Sequence, residues 1–199
     1  MQLMGRRERK KLESRKCIMD AAVKNFVENG VTETSIADIM KEARLGVGTF
    51  YNYFESKEAL LFCLLKEIAE AVCGQAEKSM ENGESAGKIL RAAVKSTTEA
   101  LEKNPYVLPL FLGTASRQPN DKNKSAGRNA RTPGFKGVFT DIISYGQKKG
   151  EFDSALDPHL VTEMFHSIFQ AASFSSLSYS FEENVSLKVD LILKGIEPR

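Results

Sequence analysis

The chain has 199 residues, 42% of them hydrophobic and 27% charged, with a net charge of only +2 at neutral pH. That is the composition of a soluble globular protein of one large or two small domains. No run of about 18 apolar residues occurs, the basic N-terminus has no apolar segment behind it, and Cys17, Cys63 and Cys73 lack Cys-x-x-Cys spacing, which argues against a membrane span, a secretory signal and a zinc ribbon or disulfide framework.

A cytoplasmic protein with three small, buried cysteines is the expectation. The charge is uneven. Residues 6–16 hold seven basic and two acidic side chains, a local +5, and the stretch 117–136 holds six basic residues against Asp121, again +5. Such asymmetry speaks of partners rather than of fold.

In chain order, the first helix starts inside the basic run and ends near Asn29. Ile18, Ala22 and Phe26 recur every four residues on its apolar side. Gly30 suits the backbone that ends a helix. Thr34 or Ser35 caps the second helix, and Ser35 with Asp38 makes a capping box. Ile36, Ile39 and Met40 form its buried side, and it ends near Ala43. Arg44-Leu45-Gly46 is the turn. A third helix runs from Val47 to about Phe54, with Val47, Phe50 and Phe54 inward and Thr49, Asn52 and Tyr53 largely outward.

Ser56 caps a fourth helix, with Lys57 in its first turn. This helix is apolar around much of its circumference and is broken at Asn82-Gly83-Glu84. Ser85 caps a fifth, to about Lys103. Asn104-Pro105, Thr132-Pro133 and Asp157-Pro158 each read as an N-cap followed by Pro at the first helical position. The helix after Thr132 stops at Lys148-Lys149-Gly150. The helix after Asp157 has a wide apolar face that includes Leu160, Met164 and Phe165. Asn184 caps the last helix, whose stripe is Leu187, Leu191 and Ile192. A polar loop lies at 116–131, and no strand pattern occurs. The fold class is all-α, about nine helices. An N-terminal three-helix unit, residues 1–55, precedes a helical body, residues 56–199.

The residues G-x-x-x-T-S-I-A-D-I followed by V-G-T-F-Y-N-Y-F-E-S-K-E-A-L resemble the DNA-binding domain of the TetR family of transcriptional regulators. The resemblance spans Cys17 to Leu61. It implies a helix-turn-helix at 1–55 and an effector-binding and dimerisation domain at 56–199. In a helix-turn-helix the second helix enters the major groove. The resemblance implies that Ser35, Thr49, Tyr51, Asn52, Tyr53 and Lys57 contact DNA, with Lys57 on a phosphate at the start of the fourth helix. Arg44 stands where the family usually has Gly, and Gly46 where it usually has Ser or Thr. A left-handed Arg44 costs about 1 kcal/mol, and its guanidinium is a further candidate for phosphate. The run from Arg6 to Lys16 would supply sequence-independent attraction.

The implied function is a ligand-responsive repressor without catalysis or cofactor. It binds a palindromic double-stranded DNA operator as a homodimer, without a membrane partner, and is released by a small apolar or aromatic effector. Phe62, Leu101, Tyr106, Phe111, Phe139, Phe165 and Phe169 are candidate lining of the effector pocket. His159, Glu163 and His166, spaced i, i+4 and i+7, fall within about 60° of one helical face. They carry the alternative reading, a helical-bundle metal-binding protein or enzyme.

Overall fold

The computed structural model describes residues 5–109, 111 and 135–198. Among these residues all regular structure is helical: α1 Arg6–Glu33, α2 Ile36–Glu42, α3 Val47–Phe50, α4 Lys57–Glu81, α5 Ala86–Lys103, a 3-10 turn Pro105–Val107, α6 Phe135–Lys148, α7 Pro158–Ser173 and α8 Phe181–Gly195. The loop expected at 116–131, the basic residues from Arg117 to Arg131 and the cap expected at Thr132 lie outside the described residues.

The chain divides into two compact units. The first is Met1–Leu65 with Asn104–Leu108, so it takes in the first turns of α4; the second is Lys66–Lys103 with Pro109–Arg199.

In the first unit, Ile18, Ala22 and Phe26 of α1 are buried as their spacing requires. Ile39, Met40, Phe50, Phe54 and Leu60 complete the core. The ring of Tyr106 leans on Phe26, centroids 5.6 Å apart. Burial of its phenol pushes the Tyr106 pKa up to about 12. Gly30 interrupts α1 with φ 79°, a conformation that glycine adopts without steric cost.

In the second unit α5, α6, α7 and α8 pack together. Gly146 of α6 is a point of closest approach. A Cβ there would lie 2.3 Å from the ring of Phe152 and 2.7 Å from Ala86. Thr140 and Thr162, on α6 and α7, share a hydroxyl hydrogen bond of 2.9 Å.

The helix starts show how well capping chemistry reads in sequence. Ser35 and Asp38 form a full capping box on α2, Ser56 Oγ accepts the N–H of Ala59 on α4, and Asp157 accepts that of His159 on α7. Three starts differ from expectation. Asn104 heads only a 3-10 turn and makes no side-chain cap bond. Asn184 is not a cap: it is buried within α8, whose capping box is Ser180 with Glu183. Glu183 lies three residues after Ser180, so both signals were in the chain. At α5 the cap comes from afar: the Glu151 carboxylate accepts the N–H of Ala86 at 2.6 Å and the Ser85 hydroxyl at 2.9 Å.

The apolar faces of α7 and α8 are narrower than periodicity suggests. Leu160, Met164, Leu187 and Leu191 point outward, Leu191 being 70% exposed. Val185, Val189, Ile192 and Leu193 are the buried side of α8. Nor are the cysteines buried: Cys17 is exposed and the other two are intermediate.

Candidate nucleic-acid interface

The candidate interface is built on the α2–turn–α3 segment. Ser35 opens it. Its hydroxyl accepts the N–H of Asp38, and the Asp38 carboxylate accepts the N–H of Ser35. The bonds from the Ser35 hydroxyl and backbone hold the Asp38 carboxyl below its usual pKa. Ile39 and Met40 anchor the helix from beneath, while Ile36 is only half-buried. Lys24 of α1 ties the far end of α2 through an exposed ion pair with Glu42, 2.7 Å.

The turn follows. Arg44 has φ 56°, the one positive value at a described non-glycine residue. The N–H of Leu45 returns to the carbonyl of Met40 at 3.0 Å, which closes α2 and frees the Arg44 side chain to stand in solvent. Gly46 then starts α3 without a side-chain cap.

α3 is one turn, Val47–Phe50, rather than the two expected to Phe54. The chain continues in single turns, with the N–H groups of Tyr53 and Phe54 both reaching the carbonyl of Phe50. Phe50 and Phe54 are buried as expected and lie 5.6 Å apart. Arg15 of α1 lies over the outer ring, 5.4 Å from the Phe54 centroid, a cation–π contact. Val47 was expected inward and is 48% exposed. It is the first residue of a one-turn helix, and helical periodicity has no meaning over one turn.

Thr49, Asn52 and Tyr53 are brought together. With Leu45 they line one side of an open groove, and Arg7, Glu8, Lys10, Lys11 and Ser14 of α1 line the other. Five polar side chains of α1, three cationic, one acidic and one hydroxyl, thus face Thr49, Asn52 and Tyr53. Tyr51 stands on a different aspect, 61% exposed. Gly48 presents open space where a Cβ would be, so another backbone can come close to α3. Hydroxyls, an amide and cations around a short exposed helix are the groups that meet phosphate oxygens and base edges.

Lys57 differs from the rest. Its ammonium donates to the carbonyls of Val31 and Thr34, at 2.6 and 2.7 Å, with the Thr32 carbonyl at 3.4 Å.

Residues 18–63 match the family described as bacterial regulatory proteins, tetR family. The chain belongs to the TetR family of transcriptional regulators. The family match includes Leu45, Thr49, Asn52 and Tyr53 on one wall of the groove and begins after the α1 residues that line the other. Over the longer chain, this TetR-family protein is 29% identical to the fatty acid metabolism regulator protein of Bacillus subtilis across 147 residues, 74% of this chain and 75% of that protein. It is 45% identical to the uncharacterized regulator YuxN of Bacillus subtilis across 139 residues, 70% of this chain and 48% of that one. Among solved structures it resembles the fatty acid degradation regulator FadR of Bacillus halodurans, with TM-score 0.66, 21% identity and full coverage of both chains. It also resembles Thermus thermophilus FadR in complex with lauroyl-CoA, with TM-score 0.68, 19% identity, and 93% and 96% coverage. At those identities the likeness is one of fold.

The candidate pocket residues are distributed. Phe62 is 42% exposed and Tyr106 belongs to the first unit. Leu101, Phe111, Phe139, Phe165 and Phe169 are wholly or almost wholly buried in the second. Phe139 stacks on Phe165 at 5.9 Å, and Phe111 meets Phe169 edge-on at 5.4 Å. In this state the rings fill the core.

The metal alternative loses its geometry. His159 and Glu163 are exposed, whereas His166 is buried and its ring lies 4.6 Å from that of Phe111. A spacing of i+7 leaves room for one residue to turn inward. Among the described residues, no three His, Cys, Asp or Glu side chains form a group able to hold a metal ion. Among these residues too, no helix is long and apolar enough to cross a membrane.

Proposed function

We propose that this TetR-family regulator is a homodimeric repressor that binds a palindromic double-stranded DNA operator and is released by an effector with a long apolar chain. The observation that carries the reading is the groove between the basic start of α1 and the Thr49–Asn52–Tyr53 face. Phosphate contacts position a helix-turn-helix and base contacts specify its site. Ser35, Arg44, Thr49, Tyr51, Asn52 and Tyr53 are the residues to which we give the contacts, with Arg7, Lys10 and Lys11 attracting the flanking backbone.

A single one-turn reading helix spans few base pairs, which favours two copies about 34–36 Å apart on a symmetric site. Leu160 and Met164 on α7, with Leu187 and Leu191 on α8, offer exposed apolar side chains for pairing. For the effector, the Phe-rich core agrees with an apolar ligand. The relatives narrow the class: one is named for fatty acid metabolism, and two FadR structures hold lauroyl-CoA and stearoyl-CoA. An acyl thioester of coenzyme A is the class we favour. It would act by preferring a conformation in which the two reading heads no longer match the operator. A hundredfold preference corresponds to about 2.7 kcal/mol.

The test is direct. A duplex selected from a random pool by the purified protein should be palindromic, and stearoyl-CoA should release it at micromolar concentration. Failure to select any common sequence would refute DNA reading. Selection without release by any acyl-CoA would refute the effector class alone.

A further inference from the structure

Lys57 is the first residue of α4, where a cation faces the positive end of its own helix dipole. Its place is explained by what it reaches. The carbonyls of Val31, Thr32 and Thr34 belong to the corner between α1 and α2. The break at Gly30 leaves the helical hydrogen-bond pattern there, and the last turn of α1 has no basic residue of its own. A cation at the negative end of a helix, bonded to its last carbonyls, is a known way to close it. Lys57 does this from another helix.

The corner is fastened from inside as well. The buried Thr34 hydroxyl bonds to the carbonyls of Gly30 at 2.7 Å and Asn25 at 3.2 Å. The next residue is Ser35, which caps α2. The start of α4 is therefore linked to the start of α2 through one ammonium. An ammonium has three donors, and all three face carbonyls here.

We propose that Lys57 is a positioning residue, a strut that fixes the α1–α2 corner and with it the pose of the reading segment, rather than a phosphate ligand. The strut itself stands without DNA; its consequence for operator binding rests on the function proposed above.

The experiment uses the full chain, with Lys57→Met and Lys57→Arg beside wild type. Amide hydrogen exchange is measured without DNA. Affinity for the duplex selected by wild type is measured against salt, well below the unfolding midpoint. The strut predicts at least tenfold faster exchange at residues 32–38 in Lys57→Met. It also predicts roughly tenfold weaker binding with an unchanged salt slope, and recovery of both in Lys57→Arg. Unchanged exchange with a salt slope reduced by about 0.9, the value for one lost phosphate contact, would overturn it. So would a lower melting point with the affinity of the folded protein intact. If wild type selects no sequence, the function above fails while the exchange measurement still decides the strut.

Discussion

Tyr51 meets Phe50 edge-on, with ring centroids 5.5 Å apart and planes at 81°, although Phe50 is wholly buried and Tyr51 is 61% exposed. One ring anchors the reading segment, and its neighbour braces against that ring while its hydroxyl faces out. The two tasks separate by mutation. An edge-on aromatic pair contributes about 0.5–1.5 kcal/mol, and a hydrogen bond to a charged group about 1.5–3 kcal/mol. Tyr51→Phe keeps the first and removes the second. Its melting temperature should match wild type, while operator affinity measured by fluorescence anisotropy falls about tenfold or more. Tyr51→Ala should lose on both measurements. Wild-type binding by Tyr51→Phe would remove the hydroxyl from the interface.

Arg44 carries a positive φ of 56°. An L-residue in that region is strained by about 1–2 kcal/mol, whereas glycine is not. Arg44→Gly removes the strain but loosens the unfolded chain, which returns about 0.5–1 kcal/mol. The expected net effect on thermal stability is therefore neutral to about 1 kcal/mol favourable. If the guanidinium holds a phosphate, the same variant binds operator more weakly and its salt slope falls by about 0.9. Better stability with unchanged binding would show that Arg44 is a turn residue only.

Most of the reading segment was legible because its signals are local. Ser35 and Asp38 stand three residues apart, and that spacing alone makes a capping box. Gly30 and Arg44 were legible as corners for the same reason. What could not be read depends on distant chain. Glu151 caps α5 from 65 positions away in sequence, and Lys57 reaches back 26 residues to Val31. Neither partnership has a spacing rule. Periodicity misled in two ways. It inverted Val47, in a helix too short to have a face. It also put Leu187 and Leu191 on one stripe with Ile192, of which only Ile192 is buried, because an apolar surface left for a partner and one packed within the chain have the same pattern. The metal reading failed similarly, since an i, i+4, i+7 series shares a side only roughly and His166 alone turned inward.

Glu151 should give stability an acid-sensitive component. Burial alone would raise its pKa, but hydrogen bonds from Lys149, Ser85 and the Ala86 backbone outweigh this and hold it below the usual carboxylate range. A carboxylate depressed on folding contributes stability above its unfolded pKa of about 4.3, and loses it as pH falls through the lower folded value. Glu151→Gln should therefore cost about 1 kcal/mol at pH 7, the ordinary loss of a helix cap. The difference from wild type should shrink below about pH 4. Thermal melts of both proteins between pH 3 and pH 7 check this (a gap independent of pH would contradict the carboxylate's role).

The exposed apolar side chains of α7 and α8 make the sharpest statement about assembly. Leu191 is 70% and Leu187 48% exposed on α8, with Leu160 at 57% and Met164 at 45% on α7. Burying a leucine side chain contributes about 1.5–3 kcal/mol, and in a symmetric pair each substitution is counted twice. Leu191→Glu places a charge on each subunit, so both lost burial and like-charge repulsion act against pairing. Light scattering after size-exclusion chromatography should give a mass near 44 kDa for wild type, twice the 22.1 kDa of the chain, and near 22.1 kDa for the variant. Leu191 is 70% exposed in the single chain, so the helical content and core of the second unit should be retained. Operator binding should then weaken steeply, because two linked reading heads are replaced by one. A variant that stays dimeric would place the interface elsewhere. A monomeric variant that binds operator with wild-type affinity would refute the need for two heads.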